Sequence, residues 1–127
     1  MHITLTINDT LRELETSPGE KLLELLRRYG YKSIKYGCGE GTCGSCTVLV
    51  DGRPHLACLT FAAQMDGRSI TTLEGLGSFD SLHPLQQAFL DEGAVQCGYC
   101  TPGMILSSKA LLDREPHPTE EHIRHAL

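Results

Sequence analysis

The feature that most constrains this chain is a loop in which glycines alternate with cysteines. Cys38, Cys43 and Cys46 follow the spacing C-x4-C-x2-C, and Cys58 comes after eleven further residues. The glycines beside or between the first three cysteines are Gly37, Gly39, Gly41 and Gly44. Glycine weakens helices and strands and accepts backbone conformations that other residues avoid. The segment Lys35–Cys46 is therefore predicted to be an irregular, sharply bent loop.

The spacing of these cysteines is typical of plant-type [2Fe–2S] sites. Two irons bridged by two sulfides need four thiolates around a small core, so most of them must come from one loop that wraps it. The loop must also present backbone N–H groups to sulfur, and side chains beyond Cβ would obstruct this approach. The predicted ligands are Cys38, Cys43, Cys46 and Cys58. Gly39, Gly41 and Gly44 are predicted to form the loop backbone around the cluster, with Cys58 on the strand that follows.

Three other uses of these cysteines fit the sequence less well. A structural zinc site usually pairs C-x2-C with a second C-x2-C or with histidines. Here the first two cysteines are separated by four residues, and only His55 lies close in sequence. A disulfide is disfavoured in the cytoplasm, where thiols are kept reduced. Buried free cysteines would leave the four interleaved glycines without a reason.

A second concentration of chemistry is the C-x2-C pair formed by Cys97 and Cys100. Thr101 as N-cap and Pro102 in the first turn predict a helix that begins just after Cys100. The backbone N–H groups and dipole at that end would stabilise a thiolate or an anionic cluster. Taken alone, the pair fits a thioredoxin-like dithiol, half of a zinc site or half of a cluster site. The dithiol needs a preceding strand in an α/β context, which the sequence does not show, so half of a site is favoured.

Bulk properties narrow the class of protein. The formal net charge is −5, so nothing in the composition would neutralise a row of phosphates, and nucleic-acid binding is disfavoured. No apolar run reaches the length of a membrane span, and the N-terminus lacks the basic start and apolar stretch of a signal peptide. We therefore expect a cytoplasmic protein, in which six cysteines indicate metal or redox chemistry.

Hydrophobic periodicity and turn residues predict a β-rich region followed by a helical one. Alternation predicts a strand over His2–Ile7 with a return strand, and turn chemistry predicts a hairpin over Thr47–Cys58. A helix is predicted with Ser17 as its N-cap, Pro18 at its first position and Glu20 completing a capping box, and it is predicted to stop at Gly30. The later elements are a strand over Ser69–Leu73 and helices over Leu82–Leu90, over Met104–Leu112 and from Thr119 onward. This pattern indicates an α+β chain with two domains, residues 1–75 and 76–127.

Two strings of residues, Gly37–Val48 and Gln96–Met104, together resemble the two signatures of the iron–sulfur subunit of molybdenum hydroxylases. This family includes xanthine oxidase, aldehyde oxidoreductase, carbon monoxide dehydrogenase and 4-hydroxybenzoyl-CoA reductase. The resemblance covers essentially the whole chain, with both motifs in the family's order. It implies a plant-ferredoxin-like β-grasp domain that carries one [2Fe–2S] cluster, followed by a helical-bundle domain that carries a second.

The resemblance also implies roles for individual residues. The ligands of the first cluster would be Cys38, Cys43, Cys46 and Cys58. Cys97 and Cys100 match the first two ligands of the second cluster, and Gln96 matches a glutamine beside the pterin of the molybdenum cofactor. The family takes two further ligands from a C-x-C after a helix like the one at Thr119, and these 127 residues do not contain that motif. We therefore expect the helical domain and the second ligand set to be incomplete in this chain.

The resemblance also implies that different subunits bind the cofactors and transfer the electrons. This subunit would pass single electrons between a large molybdopterin-binding subunit and an FAD-binding subunit, without catalytic residues that bind substrate. Two other functions stay open. One is a free-standing ferredoxin-type carrier with an extra helical domain, which would need no second cysteine pair. The other is a redox or zinc-dependent interaction module with no electron-transfer role, and a zinc site would be colourless.

Overall fold

Two β-hairpins, a short fifth strand and four α-helices make up the computed structural model, which describes residues 1–127. The strands are β1 (His2–Ile7), β2 (Thr10–Glu15), β3 (Thr47–Val50), β4 (Arg53–Leu56) and β5 (Ser69–Thr71). The helices are α1 (Leu22–Arg28), α2 (Pro84–Asp91), α3 (Thr101–Arg114) and α4 (Glu120–Ala126), with short 3₁₀ turns at Ala62–Met65 and Leu73–Gly75. This architecture agrees with the predicted α+β class. None of the helices combines the length and apolar surface that crossing a bilayer requires.

The five strands form one mixed sheet in the order β2-β1-β5-β3-β4. β1 runs antiparallel to β2 and parallel to β5, while β3 is antiparallel to both β4 and β5. Both hairpins turn through residues with positive φ, at Asn8 (49°) and Asp9 (65°) and at Asp51 (50°) and Gly52 (81°). Such two-residue turns match the twist of antiparallel strands and fix their register.

The main core lies between α1 and one face of the sheet. Burial alternates along β1, where Ile3, Leu5 and Ile7 are buried and the threonines between them are partly exposed. The buried residues of α1 are Leu22, Leu23, Leu25 and Leu26. Full burial of a Leu or Ile side chain stabilises a fold by about 1.5–3 kcal/mol. This core therefore supplies the rigid support on which the cysteine loop rests.

Helix α1 begins at Leu22 with Lys21 as its N-cap, four residues later than the sequence indicated, so the predicted N-cap at Ser17 is wrong. The Glu20 carboxylate does not cap a helix; it accepts hydrogen bonds from Thr16 Oγ1 at 2.7 Å and from Arg28 at 2.8 Å. The Leu22 N–H donates to the Thr60 carbonyl at 2.8 Å, which places it beside a distant segment. These tertiary hydrogen bonds take the groups that an earlier helical turn would have used.

Strand β3 is buried on both faces, and this arrangement brings the two cysteine motifs together. Val48 and Val50 belong to the main core beneath α1, whereas Leu49 packs on the opposite face with Leu106 and Ala110 of α3. α3 begins directly after the second cysteine pair, and β3 begins directly after the cysteine loop. Packing α3 against β3 therefore places both motifs at the same end of the sheet.

Candidate metal centre

The hairpin of β3 and β4 holds the two buried cysteines of the predicted site. Cys46 immediately precedes β3 and is 2% exposed, while Cys58 follows β4 and is 7% exposed. The strand register pairs Thr47 with Leu56, and the Ala57 N–H donates to the Cys46 carbonyl at 3.3 Å. Cys58 was predicted to lie on the strand, but β4 ends at Leu56 and Cys58 lies in the turn beyond it. Pairing nevertheless extends far enough to bring Cys46 and Cys58 together.

The other two predicted ligands, Cys38 and Cys43, lie in the loop and receive backbone N–H groups. The Cys38 sulfur accepts from the N–H groups of Glu40 at 3.4 Å, Thr42 at 3.2 Å and Cys43 at 3.4 Å. The Cys43 sulfur accepts from Cys38 at 3.4 Å and Ser45 at 3.5 Å. Hydrogen bonds of this kind stabilise anionic sulfur, and so they suit thiolates that hold a metal group.

The loop can take this shape because its glycines occupy conformations and spaces closed to other residues. Gly39, Gly41 and Gly44 have φ values of 69°, 86° and 72°, in the left-handed region that side chains with Cβ disfavour. A Cβ added at Gly37 would lie 2.6 Å from the Cys43 sulfur. The glycines that the sequence singled out are thus required by the path of the backbone around the sulfurs.

The four cysteines come together as two pairs. Cys38 and Cys43 are joined by N–H to sulfur hydrogen bonds, and the Cys46 side chain lies near enough to Cys58 to raise the pKa of the Cys58 thiol. No three His, Cys, Asp or Glu side chains converge as a single metal ion would require. A [2Fe–2S] core takes two ligands on each of its two irons, so pairs of thiols are what it needs. The donor set, its N–H groups and its glycine cradle therefore fit a [2Fe–2S] cluster.

The two pairs differ in their electrostatic surroundings. The pKa of Cys38 is lowered to about 6, first by a hydrogen bond from the Thr42 side chain and then by the backbone N–H groups of Glu40 and Cys43. The pKa of Cys58 is raised to about 11, first by burial and then by its hydrogen bond with Cys46. The loop cysteine is thus prepared as a thiolate, whereas the buried cysteine needs the positive charge of a metal to lose its proton.

This contrast predicts an order of thiol reactivity in the iron-free chain. At pH 7 Cys38 is mostly thiolate, the reactive form, whereas Cys58 is protonated and buried, so iodoacetamide should modify Cys38 first. Lowering the pH below about 6 protonates Cys38 and should remove its advantage. Peptide mapping by mass spectrometry measures both rates. Thr42→Val, which lacks the hydroxyl, should slow the modification of Cys38 by iodoacetamide. Equal modification rates at Cys38 and Cys58 at pH 7 would contradict the prediction.

The second cysteine pair lies at the start of α3 and is exposed. Cys100 itself is the N-cap of α3, with Thr101 and Pro102 in the first turn, so the helix begins one residue earlier than predicted. Cys97 is also exposed, and Gln96 is exposed immediately before it. Cys43 and Cys100 line the same cavity, which has a volume of about 250 Å³. The fold therefore brings the two predicted sites next to each other.

Two contacts between the motifs were not foreseen from the sequence. The Tyr99 hydroxyl donates to the carbonyl of Tyr36, near the start of the cysteine loop, and Gly103 of α3 lies against the carbonyl of Gly44. Both contacts join residues about sixty positions apart. Neither leaves a local pattern, although a glycine within the first turn of a helix is unfavourable there and could have indicated a close approach.

Comparison with known families identifies both parts of the chain. Residues 5–68 match the family described as 2Fe-2S iron-sulfur cluster binding domain, and residues 72–127 match the family described as [2Fe-2S] binding domain. A relative from Eubacterium barkeri, the nicotinate dehydrogenase small FeS subunit, is 51% identical over 126 residues. The aligned region covers 98% of this chain and 80% of that relative.

Comparison with solved structures agrees with these family matches. Quinoline 2-oxidoreductase from Pseudomonas putida 86 superposes with a TM-score of 0.95 and 41% identity over 99% of this chain and 78% of the matched chain. The aldehyde oxidoreductase from Desulfovibrio desulfuricans ATCC 27774 also gives 0.95, at 46% identity, over 98% of this chain but only 14% of that one. The mixed sheet and helices are thus consistent with a ferredoxin-like 2Fe-2S protein. The chain belongs to the iron–sulfur subunits of the molybdenum hydroxylase family of oxidoreductases.

Proposed function

We propose that this chain relays electrons between a molybdopterin centre and FAD, both held by partner subunits or domains of a molybdenum hydroxylase complex. The observation that carries the proposal is the arrangement of four thiols as two pairs, one of which accepts hydrogen bonds from the backbone N–H groups of the cysteine loop. A [2Fe–2S] cluster accepts and donates single electrons. The chain itself supplies the binding site, its electrostatics and the surfaces that face the partners.

The proposed roles of the four cysteines follow from their positions. Cys46 and Cys58 would anchor the cluster to the sheet, because both are buried and lie at the ends of paired strands. Cys38 and Cys43 would hold its outer side, because Cys43 is exposed and the loop around both is formed by glycines. The buried pair thus excludes water on one side, while the loop leaves the other side within reach of a partner.

We further propose that residues 1–75 and 76–127 act as two domains with one cysteine site each. Cys97 and Cys100 would provide half of a second [2Fe–2S] site in a helical domain. Their exposure in the present chain is consistent with a site that needs further ligands. Cys43 and Cys100 line the same cavity, so one cysteine of each site lies close to the other site. This proximity favours electron exchange between the two sites.

Affinity purification of the native protein from its host tests the function. We expect larger subunits to co-purify, with molybdopterin and FAD recoverable by extraction, and the visible absorption of the clusters to bleach on addition of a substrate. Nicotinate, quinoline and an aldehyde are the first substrates to try, since the names of the similar proteins refer to them. A coloured chain that purifies alone and serves as a diffusible carrier would favour a ferredoxin-type function instead.

Gln96 is proposed to contact the pterin, and its replacement predicts a specific defect. Its amide offers two donors and an acceptor, which suits the mixed polar edge of a pterin, and its side chain is exposed beside Cys97. In the assembled complex, Gln96→Leu should leave cluster content unchanged but slow cluster reduction by substrate, as followed by rapid-mixing absorption. Gln64→Leu, at an exposed glutamine outside both cysteine loops, is the matched control. Equal reduction rates in both variants would return Gln96 to a purely structural role.

A further inference from the structure

Two glycines make a close backbone approach between the two cysteine motifs. Gly103 lies in the first turn of α3, three residues after Cys100, and Gly44 lies next to Cys43. A Cβ built on Gly103 would overlap the Gly44 carbonyl oxygen and would lie 3.3 Å from the Gly44 carbonyl carbon. The helix can therefore reach the cysteine loop only because residue 103 has no side chain.

The loop side of this contact is fixed. The Gly44 carbonyl accepts a hydrogen bond from the Thr47 N–H at 3.1 Å and another from Thr47 Oγ1 at 2.7 Å. Thr47 is the first residue of β3 and is buried, so this carbonyl is tied to the sheet. A side chain at residue 103 could not be accommodated by moving the carbonyl without breaking these hydrogen bonds, so the helix would have to move.

On the other side of the contact, α3 is anchored by the helix face that carries Gly103. Gly103, Leu106 and Ala110 are spaced by three and four residues, which places them on one face of the helix. Leu106 and Ala110 are buried against Leu49 of β3. With that part of the helix anchored, an added methyl group at residue 103 would displace the N-terminal end of α3, which carries Cys100.

A second contact holds Cys100 from its other side. The Tyr99 hydroxyl donates to the carbonyl of Tyr36, two residues before Cys38, and the Lys35 ammonium lies 5.5 Å from the centre of the Tyr99 ring. Tyr99 and Gly103 thus flank Cys100 along the chain and contact the two ends of the cysteine loop. Gly44 and Gly103 also line the cavity that Cys43 and Cys100 share.

We propose that Gly103, with Tyr99, is a positioning residue that sets the distance between Cys100 and the cluster loop. The inference deepens the proposed function, because the separation of two redox sites governs how fast electrons pass between them, but the distance itself requires neither partner subunits nor a second cluster. Helix propensity alone would favour alanine over glycine at residue 103. The absent side chain is therefore explained by the contact with Gly44 and not by the needs of the helix.

The test uses the 127-residue chain loaded with iron and sulfide and carrying Cys97→Ser, so that Cys100 is the one cysteine outside the first site. A nitroxide on the exposed Cys100 reports its distance from the reduced, paramagnetic cluster through its spin relaxation. Gly103→Ala should lengthen that distance by roughly 1 Å, the shortfall from an ordinary van der Waals separation. Gly19→Ala, where a Cβ meets nothing within 4 Å, is the matched control and should leave the distance unchanged.

The cluster spectrum and midpoint potential should be the same in both variants, which separates a change of distance from damage to the cluster. If Gly103→Ala fails to retain the cluster, Tyr99→Phe decides, and it should shift the distance in the same direction by a smaller amount. An unchanged distance in Gly103→Ala overturns the proposal. If Gly103→Ala does not retain the cluster, an unchanged distance in Tyr99→Phe overturns it instead. Failure of the proposed function would appear elsewhere, as missing partners or unbleached clusters in the native complex.

Discussion

Replacing Cys43 or Cys46 by serine should reduce the iron content of the 127-residue chain from about two per chain, one [2Fe–2S] cluster, to near zero. The thiolates supply the binding energy of the cluster, and a serine hydroxyl at neutral pH offers no comparable anionic ligand. The red-brown absorption should disappear with the iron. Iron and acid-labile sulfide analysis, with visible spectroscopy, measures the loss.

The two variants should differ in what happens to the protein. Cys46 is 2% exposed and belongs to the main core, so Cys46→Ser also buries a hydroxyl, and we expect it to destabilise the fold more than Cys43→Ser does. Cys97→Ser is the control and should keep about two irons, since the six cysteines leave only one pair outside the first site. Full iron content in Cys43→Ser would show that the ligand assignment is wrong.

Gly41→Ala should destabilise the cluster loop through two separate effects. The φ of Gly41 is 86°, and a residue with a Cβ in this region costs about 1–2 kcal/mol. The added Cβ would also lie 2.6 Å from Leu59 Cδ1 and 3.3 Å from Leu56 Cδ1, and overpacking of this kind costs roughly 1–3 kcal/mol. The backbone N–H of Gly41, which lowers the pKa of Cys58, would be displaced as well.

Gly52→Ala separates these effects, because Gly52 has a similar φ of 81° but nothing within 4 Å of its Cβ position. It should therefore show the backbone strain alone, about 1–2 kcal/mol, with full cluster occupancy. Thermal unfolding followed by circular dichroism and by cluster absorption compares the two variants. A Gly41→Ala protein that unfolds at the temperature of Gly52→Ala and keeps its iron would show that the leucine contacts yield without cost.

Local patterns were sufficient to predict most of the fold. The alternation in His2–Ile7 and the turn residues Asp51 and Gly52 gave the correct strands, because each strand has one buried face and each turn needs positive φ. The spacing of the loop cysteines was also informative, since the structure brings the four predicted ligands together as two pairs. In these regions the local preference and the tertiary structure require the same residues.

Prediction failed where distant residues decide the outcome. Helix α1 begins at Leu22, later than predicted, because Arg28 donates a hydrogen bond to Glu20 and because the Leu22 N–H donates to the Thr60 carbonyl. The approach of Gly103 to Gly44 depends on how α3 packs against β3, which no local pattern encodes. Sequence periodicity indicates which face of an element is buried, but not which element covers it.

From the place of β5 in the sheet we expect a particular order of events during synthesis. When the first 68 residues have been made, the chain already contains both hairpins and all four cysteines of the first site, yet no strand joins one hairpin to the other. The sheet becomes continuous only when Ser69–Thr71 inserts between β1 and β3. α3, which covers the second face of β3, emerges from the ribosome later still, since domains are completed from the N-terminal side. We therefore expect the cluster to be inserted only after β5 has formed, although this three-residue strand contains no cysteine. At that stage α3 does not yet cover the second face of β3.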